Sequence, residues 1–107
     1  MENKSSMRRT VTHGETVLVL GKAAPLHYVV ADPLGLHARP AAALVKLAKA
    51  YPCTMTMKAN GKTASLNRIF DIMALNVRAG TEICVEAEGE GSAEALAAVR
   101  RYFTENL

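Results

Sequence analysis

The chain has 107 residues, enough for one hydrophobic core and too few for two. Half of it is hydrophobic and 21% is charged, and with no Trp and 5% aromatics it lacks a stacking platform for single-stranded nucleic acid. The net charge of +3 divides into +2 over residues 1–26 and +1 over the rest, so the body of the chain is nearly neutral, which argues against a nucleic-acid partner.

Residues 1–14 are polar and aperiodic and read as a mobile tail. Glu15–Leu20 is rich in β-branched residues and reads as an extra strand, broken by Gly21 and by Ala23-Ala24-Pro25. Residues 1–26 therefore form an N-terminal extension, with Val17–Leu20 packed on a sheet edge or on a second chain as the alternative to a mobile segment. Val17–Leu20 is also the longest strongly apolar run, far short of the ~20 residues that cross a bilayer. The basic pair Arg8-Arg9 is followed by no apolar leader segment. No membrane insertion is expected, and the expected location is cytoplasmic.

From residue 27 the pattern is regular. His27–Ala31 reads as a strand, stopped by Asp32-Pro33 and the turn at Leu34-Gly35. Ala38–Tyr51 reads as a helix with Ala41, Leu44, Val45, Leu47 and Ala48 on its apolar stripe, Pro40 in its first turn and Pro52 at its end. Cys53–Lys58 alternates, with Cys53, Met55 and Met57 inward. Asn60-Gly61 then predicts a hairpin, with Lys62–Leu66 returning antiparallel. Asn67 is placed to cap a short helix near Arg68–Leu75. Glu82–Glu88 alternates again, with Ile83, Val85 and Ala87 inward, and leaves Glu82, Glu86 and Glu88 as a solvated face. Ser92 is placed to cap a last helix with the stripe Leu96, Val99 and Phe103.

The order β-α-β-β-α-β-α predicts an α+β fold, a two-layer open-faced sandwich with a four-stranded antiparallel sheet and three helices on one face. Two cysteines are too few for a disulfide scaffold, and alternation sends Cys53 inward and Cys84 outward, so free thiols are expected. Neither has companion ligands at zinc spacing, and no metal site is expected.

Gly35-Leu36-His37-Ala38-Arg39-Pro40-Ala41 is the stretch with chemistry in it. It sets a histidine just before a helix, where unpaired N–H groups and the positive dipole end favour an anion, phosphate above all. A neutral imidazole is a nucleophile near pH 7, and the Arg39 guanidinium can stabilise negative charge added to His37. The residues point to a histidine that accepts a phosphoryl group.

This segment, with the element order behind it, resembles the HPr family, the histidine-containing phosphocarriers of the bacterial phosphoenolpyruvate-dependent phosphotransferase system. The resemblance spans residues 27–107 and includes Asn60-Gly61, the Ile69–Leu75 helix, Gly80-Thr81-Glu82-Ile83, Ala87-Glu88-Gly89 and the Ala-rich last helix. It implies that His37 takes a phosphoryl group on Nδ1 from the first enzyme of the system and passes it to a sugar-specific or regulatory second-enzyme domain, with Arg39 as the arginine beside it. It implies no cofactor and no metal, and a carrier rather than an enzyme. It also implies docking of partners on Ala42, Ala43, Ile69, Phe70 and Met73. A monomer is expected, with a dimer through the N-terminal extension as the alternative.

Where many family members have a regulatory serine at the start of the second helix, this chain has Arg68, and Ser65 does not align with that position. The rival reading is an HPr-like regulatory binding module that docks to a transcription factor or metabolic enzyme, but relatives of that kind can lack the histidine that this chain keeps at position 37.

Overall fold

The computed structural model describes residues 11–13, 16–19 and 22–107. Its elements in order are β1 (Val11–His13), β2 (Thr16–Val19), β3 (Lys22–Ala23), β4 (Leu26–Val29), α1 (Ala38–Ala48), β5 (Thr54–Ala59), β6 (Lys62–Ser65), α2 (Ile69–Met73), β7 (Glu82–Glu88) and α3 (Ser92–Asn106). Strands β4, β7, β5 and β6 lie side by side in that order, every pair antiparallel. This four-stranded sheet with three helices on one face is the open-faced α+β sandwich. Apart from Val11–His13, the tail expected over residues 1–14 lies outside the described residues, as do Glu15, Leu20 and Gly21.

Alternation decides which side of the sheet is dry. Met55, Met57, Ile83, Val85 and Ala87 are all buried, whereas Thr54, Lys58, Glu82 and Glu88 are exposed on the other face. That open face has the pairs His27–Glu82 and Lys58–Glu86, at 3.5 and 3.4 Å, in exposed positions where such pairs contribute little. Leu44 of α1, Ile72 of α2 and Leu96, Val99 and Phe103 of α3 close the core from the helix side. Asn60 and Gly61 both have positive φ, 53° and 76°, as a two-residue hairpin turn of this hand requires.

Beyond β4 the sheet continues through the extension. Strand β3 pairs with β7, β2 with β3, and β1 with β2, all antiparallel. Lys22 faces Glu88 while Leu26 faces Val85, so four steps along β3–β4 match three along β7. The extra residue falls at the exposed pair Ala24-Pro25, where proline has no N–H to offer a ladder. It also explains how Ala23 and Leu26, three apart, can both be buried: an uninterrupted strand would send them to opposite faces. The break expected to run from residue 23 to 25 is thus narrower, and pairing has already resumed at Lys22–Ala23.

Several helix ends differ from expectation. Helix α1 stops at Ala48 rather than Tyr51. Ala50 and Tyr51 donate instead to Leu47 and Ala48, three residues back, because the residue before Pro52 is pushed away from helical geometry and the chain must turn to bring Cys53 into the core. Helix α2 is only Ile69–Met73, and Asn67 does not cap it. The N-cap is Arg68, with no side-chain cap bond, and the Asn67 N–H turns back to Ser65 Oγ at 3.2 Å. Ser92 does not cap α3: Gly91, with φ 76°, takes that place, and Ser92 is the first helical residue, buried, with its Oγ unbonded. Strand β4 is Leu26–Val29 rather than His27–Ala31, but Val30 still exchanges bonds with Thr81 O and Gly80 N.

Gly35 has φ 66°, and a Cβ there would lie 2.5 Å from the Val77 carbonyl oxygen and 2.9 Å from Arg78 Cα. Both obstacles are backbone and cannot swing aside. We predict that Gly35→Ala lowers the unfolding free energy by about 2–4 kcal/mol, read from the urea midpoint at constant slope; an unchanged midpoint contradicts this packing. Ser92→Ala removes an unpaired buried hydroxyl, so its urea midpoint is expected to stay level or rise by up to about 1 kcal/mol. A fall beyond about 0.5 kcal/mol would show a bond to Ser92 Oγ that the geometry lacks.

Candidate functional site

The segment before α1 is folded by its own backbone. Asp32 Oδ1 accepts the Leu34 N–H at 2.8 Å, and Asp32 O accepts the Gly35 N–H at 2.9 Å. Leu36, buried, donates to Val77 O at 3.1 Å. These bonds deliver His37 as the N-cap of α1, in extended geometry, with its carbonyl receiving the Ala41 N–H at 3.0 Å. The imidazole makes no cap bond and is half-buried. The N–H groups of Ala38 and Arg39 have no intrahelical acceptor, and Pro40 has no N–H at all. No acidic residue occupies the first turn to compete for that positive end.

His37, Arg39 and Pro40 form one wall of an open cleft of about 370 Å³. Asp32 and Leu34 line it from the preceding loop, and Tyr102 and Asn106 line it from the end of α3. Tyr102 and Asn106 are the two lining residues that no sequence motif marks. The available signal was their i, i+4 spacing beside the core stripe through Phe103, but which element that face meets is a matter of tertiary packing. Burial pushes the Tyr102 phenol up from its ordinary value. The cleft thus joins an imidazole, a guanidinium and a helix start, a set of groups that can take up and hold an anionic group.

Helix α1 packs against α2. Ala42 is exposed and Ala43 half-buried on α1; on α2, Ile69 is half-buried while Phe70 is 81% and Met73 39% exposed. Leu34, on the rim of the cleft, is 73% exposed. Arg68 is well exposed, with its Nε 3.9 Å from Asp71 Oδ2. Cys53 and Cys84 are free, the first buried and the second half-buried. Burial pushes both thiols up, and for Cys84 the Glu86 carboxylate adds to this, which suits neither to nucleophilic work. Among the described residues, no group of three His, Cys, Asp or Glu side chains could hold a metal ion, and no helix is long and apolar enough to cross a membrane.

A family model described as the PTS HPr component phosphorylation site matches residues 26–105. The chain is 37% identical over 73 residues to the phosphocarrier protein HPr of Mycoplasma capricolum, covering 68% of this chain and 82% of that one. To the HPr of Vibrio cholerae it is 44% identical over 62 residues, covering 58% and 73%. The solved histidine-containing phosphocarrier protein of a Mycoplasma superposes with a TM-score of 0.74 at 34% identity, over 77% of this chain and 93% of that one. These matches favour a phosphocarrier over a regulatory binding module. The chain belongs to the HPr family, the phosphocarrier proteins of the phosphotransferase system.

Proposed function

We propose that His37 is the residue that carries the phosphoryl group, accepting it on Nδ1 from the first enzyme of the system and giving it to a sugar-specific or regulatory second-enzyme domain. The observation behind this reading is the position of His37 at the start of α1, its imidazole free of any cap bond and in one cleft with Arg39. In the forward step the neutral imidazole lone pair attacks phosphorus, the N–P bond on the donor's histidine breaks as the new N–P bond forms, and each ring keeps its other N–H. No net proton moves, so the site needs no general base. What it does need is compensation for the oxygens' negative charge, supplied by the Arg39 guanidinium and by the N–H groups of Ala38 and Arg39. Residues 27–107 are on this reading the carrier domain and residues 1–26 an extension to it.

Docking on Ala42, Ala43, Ile69, Phe70 and Met73 fits the same reading. Phe70 is a large aromatic side chain left 81% exposed, which a folded chain has no internal reason to prefer. Ala42 and Ala43 follow Arg39 and Pro40 on α1, so a partner that covers this patch meets the helix whose start lines the cleft.

Two substitutions test the roles. His37→Ala is expected to accept no acid-labile phosphate when incubated with phosphoenolpyruvate, magnesium and the first enzyme, with stability within about 0.5 kcal/mol of the wild type. Intact mass reads the first quantity and urea unfolding the second, and a phosphorylated His37→Ala protein sinks the assignment. Arg39→Ala is expected to fold normally and to slow transfer by about 10- to 100-fold, the size of one lost charge-assisted contact in the transition state. Unchanged rapid-quench transfer rates in both directions would make Arg39 a bystander.

A further inference from the structure

We propose that the Tyr102 hydroxyl donates a hydrogen bond to the phosphoryl group on His37, making it the stabilising donor on the far wall of the cleft. The inference rests on the reading that His37 is the phosphorylated residue.

The cleft is poorly supplied with positive charge. Of the side chains lining it, Arg39 is the one cation and Asp32 the one anion, so the two largely offset each other. Asp32 has one carboxylate oxygen committed to the Leu34 N–H, which fixes that negative charge in place. A phosphoryl group presents three acceptor oxygens. On the α1 side only Ala38 and Arg39 can offer backbone donors, since Pro40 has none. These two donors and the Arg39 guanidinium leave acceptor lone pairs on the phosphoryl oxygens unfilled, and those turned away from α1 face water or the α3 wall.

That wall has two polar side chains, one turn apart, Tyr102 and Asn106. Asn106 Nδ2 donates to the Tyr102 carbonyl at 3.0 Å, which ties down the last turn of α3 beneath the Tyr102 ring. The other tyrosine of this region, Tyr28, has its hydroxyl committed to Phe103 O at 3.0 Å. Among the described residues the Tyr102 hydroxyl has no such acceptor, and its ring packs half-buried against the core. Burial pushes its pKa up, so the phenol stays a proton donor throughout the neutral range. A rigid ring with two torsions, lining the cleft and packed against the core, has little entropy to lose when its hydroxyl binds an oxygen.

The test uses the full chain with phosphoenolpyruvate, magnesium and the first enzyme. Tyr102→Phe keeps the ring and removes the donor. The equilibrium between phosphoenolpyruvate and phosphorylated carrier is expected to shift about tenfold against the carrier, equivalent to about 1.4 kcal/mol, with melting behaviour and the KM of the first enzyme for the carrier unchanged. A purely structural role for Tyr102 would move the melting and leave that equilibrium alone. As a second measurement, the Tyr102 ring resonance of wild-type protein labelled with ¹³C-tyrosine is expected to shift on phosphorylation, and its titration to move upward as negative charge arrives. A Tyr102→Phe protein that melts as the wild type does and has the wild-type equilibrium overturns the proposal; where the variant does not fold, an unmoved Tyr102 resonance overturns it instead. His37→Ala is run alongside. If it accepts phosphate, the assignment of His37 has failed; if it is inert while Tyr102→Phe behaves as wild type, only the role of Tyr102 has failed.

Discussion

The close approach of Gly35 and Leu36 to the Val77–Arg78 backbone is the contact on which the functional end of the molecule depends. One hydrogen bond, Leu36 N–H to Val77 O, and the missing Cβ at Gly35 bring the loop before α1 against a segment more than 40 residues away in the chain. Buried Leu36 and Val77 exclude water from that bond. Val77 is itself held from the far side, because Gly80 and Thr81 bond to Val30 at the end of β4. The direction in which α1 starts is therefore a tertiary property. His37 inherits its position from that contact, while its ring stays unbonded at the surface. On the proposed role of His37, a rigid mount for a half-buried reactive group is what transfer between proteins asks for, since each partner must meet the same geometry.

The two faces of the sandwich have separate duties. On the helix side, burial of Leu44, Ile72, Val99 and Phe103 against the sheet supplies the hydrophobic driving force. Helix α2 is too short to be stable by itself, at five residues, and is secured by its neighbours. Ile72 anchors it in the core, and the Asn60 amide at the β5–β6 turn donates to the carbonyls of Leu75 and Asn76 at 2.8 and 3.1 Å, just past its end. The β5–β6 hairpin tip is thereby tied to the chain just past the helix that presents Phe70. The open face has Thr, Lys and Glu side chains, and its surface pairs His27–Glu82 and Lys58–Glu86 contribute little to stability.

What the sequence made legible follows from how local each signal is. Alternation at Met55 and Met57 and at Ile83, Val85 and Ala87 needs only a strand and one dry side, and Asn60-Gly61 needs only its own φ angles. The segment around His37 was readable because a helix start, an imidazole and an arginine all fall within seven residues. The caps were less readable, since Asn67 and Ser92 are good capping residues whose places were taken by Arg68 and Gly91 when the loops closed. At Ser92 the local preference lost to the turn geometry that Gly91 alone accepts comfortably, with φ 76°. Ala24-Pro25 marks a break locally, but the one-residue register shift across it depends on pairing with Glu88 and Val85, far along the chain, and no local pattern encodes that shift. Tyr102 and Asn106 were out of reach for the same reason: their spacing is visible, but their cleft exists only once α3 lies beside the start of α1.

The modest charge of the cleft makes sense for a carrier. A site lined by several cations would bind a phosphoryl group tightly and then hold it, because every contact that stabilises the loaded state must be given up when the group leaves. Stabilisation spread evenly over donor, carrier and acceptor leaves each step close to balance and lets flux run either way. On the proposed roles of His37 and Tyr102, Arg39 opposed by Asp32, two backbone donors rather than three, and a phenol instead of another cation all limit how deep the loaded state can lie. On this argument the proline inside the first turn of α1 has a thermodynamic role beside its structural one. On the proposed assignment of His37, Pro40 withholds a third helix-start N–H from the anion, which limits how tightly the loaded state is held.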